Sequence, residues 1–205
     1  MLPDDVATYF CRSPGEFLFQ RWAQPIVPHV FGTAAPDPEP IYQAMENVAA
    51  LTGHPVLRSS GGADMNCTIW FVREWTDLMT MPGAEALLGS LGVVAKQLSA
   101  RKSNIQLSTS DDPKTGAIGQ MVLTIRMNGA IGTFPPEDTA LRIAMLTHLR
   151  WSIGKDFPGV MLRDDDGFQI SPQALAVARA AYHPSIPDMS TDEATAGQIA
   201  ALIPA

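Results

Sequence analysis

The sequence predicts an α+β fold, in which a mixed, twisted sheet carries a backing helix, a central helix and a helical C-terminus. Three patterns support this prediction. Apolar residues recur at helical spacing from residue 41 to residue 51, and a strongly β-prone run follows at residues 66–74. Prolines and carboxylates start a second helix after Pro135, and a serine–proline pair starts a third at Ser171.

The N-terminal part is predicted to supply an arm, the first strands and the backing helix. Residues 1–20 form an arm packed onto the domain, and residues 21–32 form a first strand that its prolines restrict to an edge or an irregular shape. Residues 36–40 start the backing helix, which Gly53 ends. A short strand at residues 55–59 precedes the β-prone run.

The middle of the chain is predicted to add one helix and two strands. Residues 76–101 form a loop and then a helix. Residues 105–108 and 120–127 are antiparallel partners, because the turn between them contains Asp-Pro and Gly. The apolar stripe of the helix comprises Leu87, Leu88, Leu91, Val94, Ala95 and Leu98.

The C-terminal part contributes three helices. Ser171 is the predicted N-cap of the penultimate helix, and a capping box at residues 190–193 starts a short final helix. The predicted organisation is an arm at residues 1–20, one domain at residues 21–189 and a helical tail at residues 190–205. One face of the central helix carries Leu141, Ala144, Met145, His148 and Ser152.

Composition and charge argue against two classes of partner. The chain has 205 residues, of which 46% are apolar and 17% charged, so one domain can bury a sizeable core. The net charge is −7 and the 14 basic residues are scattered, which argues against a nucleic-acid partner. No apolar run approaches the roughly 18 residues of a membrane helix. The N-terminus lacks the pattern of a signal peptide, although a mature form would look the same.

The two cysteines, Cys11 and Cys67, allow one intramolecular disulfide. A reducing compartment favours two buried thiols, whereas export favours the disulfide, and the sequence leaves both alternatives open. Two cysteines without clustered histidines do not form a zinc site. Neither a phosphate-binding loop nor a nucleophile elbow occurs, so the sequence predicts no cofactor.

The central helix has the register of a zinc-binding helix, but only the last ligand position is filled. Such a helix carries two histidines four residues apart, with a glutamate between them that activates the zinc-bound water. Here the positions of the first histidine and the glutamate hold Ala144 and Met145, and the last position holds His148. Because catalytic zinc takes three protein ligands, we interpret His148 as a hydrogen-bonded structural residue.

Acidic residues after the central helix give weak candidates for a site with His148. Asp156 or Asp164 could be brought near the imidazole by the turn that follows the helix. The run Asp164-Asp165-Asp166-Gly167 resembles part of a calcium loop, but its first and twelfth positions would be Leu162 and Gln173, which are not the usual end ligands. We prefer a solvated turn, and a weak cation site stays open.

Several short motifs together resemble a known family. The central helix, Gly154, the segment Gly159-Val160-Met161 and the closing helix follow the order of parts in zincin and matrixin-like proteases. The chain more closely resembles a proteobacterial family, domain-of-unknown-function family twenty-nine twenty-seven, whose members include predicted lipoproteins. The residues that carry this resemblance are Arg21-Trp22, Pro25-Ile26, Leu51-Thr52-Gly53, Asn66, Asp164-Asp165-Asp166, Tyr182-His183-Pro184 and Met189.

The resemblance implies a zincin-like domain that has lost its metal site, in an exported protein of the periplasm or the extracellular space. In zincins one antiparallel strand borders the substrate cleft and pairs with an extended peptide. Here that edge falls at residues 106–109 or 119–124. Either the helix at residues 84–100 or the arm covers the cleft, or a protein partner adds a strand. The sequence favours the partner, with the binding segment at Gly119, Gln120, Met121 and Val122.

Two functions follow from this sequence. The first is a non-catalytic binding or structural component that engages a protein partner, with its oligomeric state left open. The second is a metal-dependent hydrolase or peptidase with an atypical site around His148. One equivalent of bound zinc would favour the second function.

Overall fold

The computed structural model describes residues 1–11, 15–58, 64–81, 83–101, 104–128, 135–151, 160–164 and 167–204, and these form a mixed α+β fold as predicted. The helices are α1 (Pro3–Ala7), α2 (Glu39–Thr52), a 3₁₀ helix (Trp75–Thr80), α3 (Ala84–Leu88), α4 (Leu91–Arg101), α5 (Pro136–His148), α6 (Pro172–Ala181) and α7 (Ala194–Ala201). The strands are β1 (Phe19–Gln20), β2 (Pro28–Phe31), β3 (Cys67–Val72), β4 (Ile105–Asp111), β5 (Ile118–Arg126), β6 (Met161–Asp164), β7 (Gly167–Ile170) and β8 (Met189–Ser190).

The main sheet has four strands in the order β2, β3, β5, β4. The first three run parallel, and β4 is antiparallel to β5. Ahead of β2, Ile26 makes an isolated parallel bridge with Val56, so the strand predicted at residues 55–59 is reduced to one pairing. The small antiparallel pairs β1–β8 and β6–β7 lie outside the main sheet.

Alternate residues of the interior strands face two different cores. Ile69 in β3 and Leu123 in β5 point into the larger core, which also holds the buried faces of α2 and α5. Trp70 and Val122 point into a smaller core, which the 3₁₀ helix, α3 and α4 cover. Because helices cover both faces of the sheet, all six residues of β3 are buried.

The helix predicted at residues 84–100 is two helices, α3 and α4, separated at Gly89. Gly89 has a φ of 75°, which residues with a side chain rarely adopt, so the turn between the helices favours glycine. Ala95 and Leu98 of the predicted stripe are buried in the smaller core, and the stripe's leucines and Val94 pack against it. The stripe therefore covers the sheet face opposite α5, and this helix does not fold over a cleft beside the central helix.

The N-terminal arm and the C-terminal tail pack against each other and against the larger core. α1 contacts α7, and β1 pairs with β8. Val6 and Phe10 from the arm and Ile199 from the tail are each at most 1% exposed. Residues 1–20 and 194–201 therefore contribute to the same core as the central helix. No helix in the described part of the chain is both long enough and apolar enough to cross a bilayer.

The predicted binding segment lies in the wrong strand for strand addition. Met121 and Val122 belong to β5, which pairs with β3 on one side and β4 on the other. The Met121 N–H donates to the Asn66 carbonyl at 2.8 Å, so an incoming strand has no access to it. Gly119 and Gln120 precede them in the same strand, opposite a register shift between Ser110 and Asp111. The expectation that residues 119–122 form an open edge is therefore wrong.

Gly119 has a structural reason for its position. A Cβ atom placed there would lie 2.9 Å from the Asp112 backbone nitrogen, a distance that real Cβ atoms essentially never show. The start of β5 and the residues at the end of β4 approach each other too closely for a side chain. This residue therefore belongs to the bulge that closes the β4–β5 connection.

Three residues of the predicted face of the central helix, Ala144, Met145 and His148, are fully buried, but Leu141 is not the core residue that was expected, and Ser152 lies outside the described residues. Met145 and Ala144 are fully buried and Ile143 is 1% exposed, whereas Leu141 is only half-buried. We therefore expect Met145→Ala to lower the free energy of unfolding by about 2–5 kcal/mol and Leu141→Ala by clearly less. Urea denaturation followed by circular dichroism measures both. Equal losses in the two variants would contradict this placement of the helix.

Candidate functional site

The C-terminus of α5 is the site that the sequence singled out, and three aromatic side chains cap it. The last carbonyls of a helix have no partner inside the helix. Here the Trp151 indole N–H donates to the Met145 carbonyl at 2.6 Å, and the Trp22 indole N–H donates to the Thr147 carbonyl at 2.8 Å. The Tyr182 hydroxyl donates to the His148 carbonyl. Three of the last four carbonyls of the helix are thus satisfied although the helix end lies inside the core.

His148 is fully buried at this helix end and faces α2. Its Nε2 lies 2.5 Å from the Thr52 hydroxyl oxygen. The single proton of that hydroxyl is directed to the Val48 carbonyl at 3.0 Å. With the hydroxyl donating to Val48, we assign the proton of the neutral imidazole to Nε2, which then donates to Thr52.

The second ring nitrogen of His148, Nδ1, is buried and has no hydrogen-bond partner among the described residues. In the assigned tautomer this nitrogen is a bare acceptor, so the ring is neutral. Burial lowers the pKa of His148 from its usual 6.5 to about 3, and the neighbouring His54 contributes in the same direction. The imidazole is therefore uncharged at neutral pH.

His54 extends the cluster from the loop after α2. Its ring stacks on Tyr182 with ring centroids 4.3 Å apart, and its Nε2 lies 3.0 Å from the Gln24 carbonyl. Burial lowers the pKa of His54 to about 4, and Arg21 adds to this effect, while the hydrogen bond to Gln24 opposes it. Burial also raises the pKa of the Tyr182 hydroxyl.

Of the two acidic residues predicted to form a site with His148, the structure describes only Asp164. Asp156 lies outside the described residues, as do Gly154 and Gly159 of the protease-like turn. Asp164 ends β6, where its backbone pairs with Gly167, and Asp165 and Asp166 lie outside the described residues. In the part of the chain that the structure describes, no group of three or more His, Cys, Asp or Glu residues is placed to hold a metal ion.

The two cysteines are not bonded to each other. Cys67 is a fully buried thiol in β3, and Cys11 is partly exposed. Burial raises the pKa of the Cys67 thiol to about 12, so it stays protonated. Of the two alternatives, the structure contains two thiols and not the disulfide.

The residues of the family resemblance that are described make contacts between distant segments. Thr52, Trp22 and Tyr182 hold the end of α5, as described above. Arg21 pairs with Asp188 at 2.9 Å and donates to the Ala181 carbonyl at the end of α6. The Asn66 side chain accepts from the Val27 N–H at 2.7 Å and donates to the Pro25 carbonyl at 2.9 Å. These motifs therefore have structural roles in the fold.

The second candidate site is β4, the edge strand that the sequence analysis named as residues 106–109. The Arg126 N–H donates to the Asn104 carbonyl, so in this antiparallel ladder Gln106 and Ser108 turn their backbone groups toward β5. Leu107 and Thr109 consequently turn theirs away from β5. No described strand pairs with that side, and the Leu107 carbonyl accepts a hydrogen bond from the Gln106 side-chain amide at 3.1 Å.

Both ends of this edge are held in place by side-chain contacts. At one end Arg126 donates to the Asn104 side chain at 2.8 Å. At the other end Gln20, which is 1% exposed, donates to the Asp111 carboxylate at 2.8 Å and to the Gly116 carbonyl at 2.9 Å. Side-chain hydrogen bonds therefore anchor this strand at both ends.

Comparison with known proteins finds no matching family model, no similar curated protein and no similar solved structure.

Proposed function

We propose that this chain is a non-catalytic binding component on a zincin-like fold of the family named above, and that it binds a protein partner by strand addition at β4. The observation that carries the proposal is that no described strand pairs with the outer side of β4, where Leu107 and Thr109 direct backbone groups away from the sheet. A single antiparallel edge strand beside parallel strands, with α2 packed on α5, supports the zincin-like part.

The proposal that the chain is not catalytic rests on the position of His148. A catalytic metal ligand must face a site that water and substrate can reach, together with two further ligands. His148 is fully buried, and its Nε2 is committed to Thr52 on the backing helix. We expect no stoichiometric zinc and no cleavage of generic peptides. Elemental analysis that finds one zinc per chain, lost in His148→Ala, would overturn this part.

The proposal of a protein partner rests on the composition of β4. Residues 105–110 contain no charge and no proline, and these are the features with which edge strands normally prevent pairing. The chain carries a net charge of −7, so an extended segment that is neutral or basic fits best. Such a segment would pair with the outward groups of Leu107 and Thr109.

Amide hydrogen exchange in the free protein tests the edge directly. We expect the Thr109 amide to exchange faster than the Ser108 amide, because only Ser108 donates to β5. Peptides selected from a random phage-displayed library should then slow the exchange of Thr109. A Thr109 amide that is already as protected as Ser108 in the free protein would show that the edge is covered and would refute the proposal.

A further inference from the structure

Three side chains that can carry positive charge surround the Tyr182 ring beside the end of α5. His54 stacks on the ring at 4.3 Å, His148 lies edge-on at 5.3 Å, and the Arg21 guanidinium lies 5.9 Å from its centroid. The two imidazoles are themselves 5.9 Å apart. With both imidazoles neutral, Arg21 is the cation of this group. Protonation of both would place three positive charges around one ring.

Among the described residues, the elements around the ring offer little to neutralise that charge. α2 presents the Thr52 hydroxyl, the segment before β2 presents the Gln24 carbonyl, and α6 is followed by the neutral Tyr182. Asp188, just before β8, is the carboxylate that acts on His54, but it lies 2.9 Å from Arg21 and is paired with it. In the part of the chain that the structure describes, a second or third cation would therefore have no matched carboxylate.

The geometry of His148 adds a second obstacle to protonation. Its Nε2 already donates to Thr52, so a further proton must go to Nδ1. Nδ1 is buried, and no acceptor faces it among the described residues. A charged N–H would then lack a partner in the core, which is one of the more costly arrangements in a folded protein.

We propose that His148 and His54 form an acid-released latch: they take up protons only when the end of α5 separates from α2 and from Tyr182, so acid favours the separated state. The latch acts through the fold itself and does not depend on the partner at β4. Below pH 6.5 His148 and His54 take up protons in the unfolded chain but stay neutral in the folded cluster. The protein is therefore most stable above pH 6.5 and loses stability as the pH falls.

The size of the effect follows from the pKa values. Burial lowers the pKa of His148 to about 3 and that of His54 to about 4, and the ordinary value of both is 6.5. Between these values each histidine raises the unfolding equilibrium constant about tenfold per pH unit. Carboxylates with ordinary or lowered pKa values titrate below about pH 5, so the window from pH 6.5 to pH 5 isolates the histidines.

Urea denaturation of the full chain at pH 7.5, 6.5, 5.75 and 5.0 tests the latch. We expect the wild-type unfolding constant to rise between ten- and a hundredfold per pH unit below pH 6.5. His148→Gln keeps a donor for Thr52 and cannot be charged, and His54→Phe keeps the stack on Tyr182. Each variant should reduce the slope by about tenfold per pH unit.

The matched control is His183→Gln, because His183 is exposed and, in the described structure, its ring bonds only to Ser185. This variant should follow the wild-type pH dependence. If His148→Gln does not fold at pH 7.5, the slope of His54→Phe decides. Equal wild-type stability at pH 7.5 and pH 5.0, or a wild-type slope retained in both variants, would overturn the proposal.

Discussion

Replacing Trp22 with alanine is expected to lower the free energy of unfolding by about 3–5 kcal/mol, the usual cost of truncating a large buried aromatic side chain. Trp22 is 1% exposed and lies in the larger core. Its truncation also leaves the buried Thr147 carbonyl without the indole donor, which lies at 2.8 Å in the wild type. Since single domains are stable by about 5–15 kcal/mol, this variant should approach the limit of folding.

A second substitution separates the volume of Trp22 from its hydrogen bond. Trp22→Phe keeps most of the apolar surface and removes the donor, so it should cost about 1–3 kcal/mol, the penalty for an unsatisfied buried carbonyl. Met79→Ala is the control, because Met79 is 57% exposed and its loss should change stability by less than about 0.5 kcal/mol. Urea denaturation measures all three variants. A Trp22→Phe protein as stable as the wild type would show that the cap contributes nothing.

The helices were predictable from the sequence because their signals are local. α2 begins after Pro38 and ends at Gly53, which has a φ of 80° that glycine adopts readily. α6 begins after Ser171, whose side chain accepts from the Ala174 N–H as an N-cap should. Each of these signals lies within a few residues of the helix end that it marks.

The order of the strands was harder to predict, because pairing depends on residues far apart in the chain. A signal for it was nevertheless present. Met121, Val122 and Leu123 form a continuous apolar run, which is typical of a strand buried on both faces. In β4 the apolar residues Ile105 and Leu107 alternate with polar ones, which is typical of a strand exposed on one side. The contrast between the two runs favoured β5 as the interior strand and β4 as the less buried outer strand.

The surroundings of His148 could not be predicted from the sequence. Thr52 lies 96 residues away in the chain and Trp22 lies 125 residues from the carbonyl that it caps. Helical periodicity placed His148 on the inner face of α5 but says nothing about what that face meets. Only the packing of α2, α5 and the residue after α6 brings these groups together.

At the edge of the main sheet, Thr109→Pro should weaken peptide binding about tenfold or more and leave the domain folded. Proline lacks a backbone donor, and the Thr109 N–H is one that points away from β5. Ser108→Pro is the matched variant, because it removes a donor that pairs with Val122 inside the sheet and should destabilise the domain. The probe is the tightest peptide selected by the wild type, with its affinity measured by calorimetry and stability measured by urea denaturation.

Thr109 is chosen because the other residue with outward backbone groups, Leu107, is already partly covered. The Leu107 carbonyl already accepts the Gln106 amide at 3.1 Å, so part of that position is covered by the chain itself, whereas Thr109 has no such cover in the described structure. The loss of one backbone hydrogen bond to an incoming strand should weaken binding about tenfold or more. A net hydrogen bond contributes about 1 kcal/mol, and the proline ring also blocks the approach of the strand. Unchanged binding by a folded Thr109→Pro protein would exclude this edge. In contrast, Met121→Pro removes an interior bond to Asn66 and should unfold the sheet, so its effect on binding could not be separated from its effect on stability.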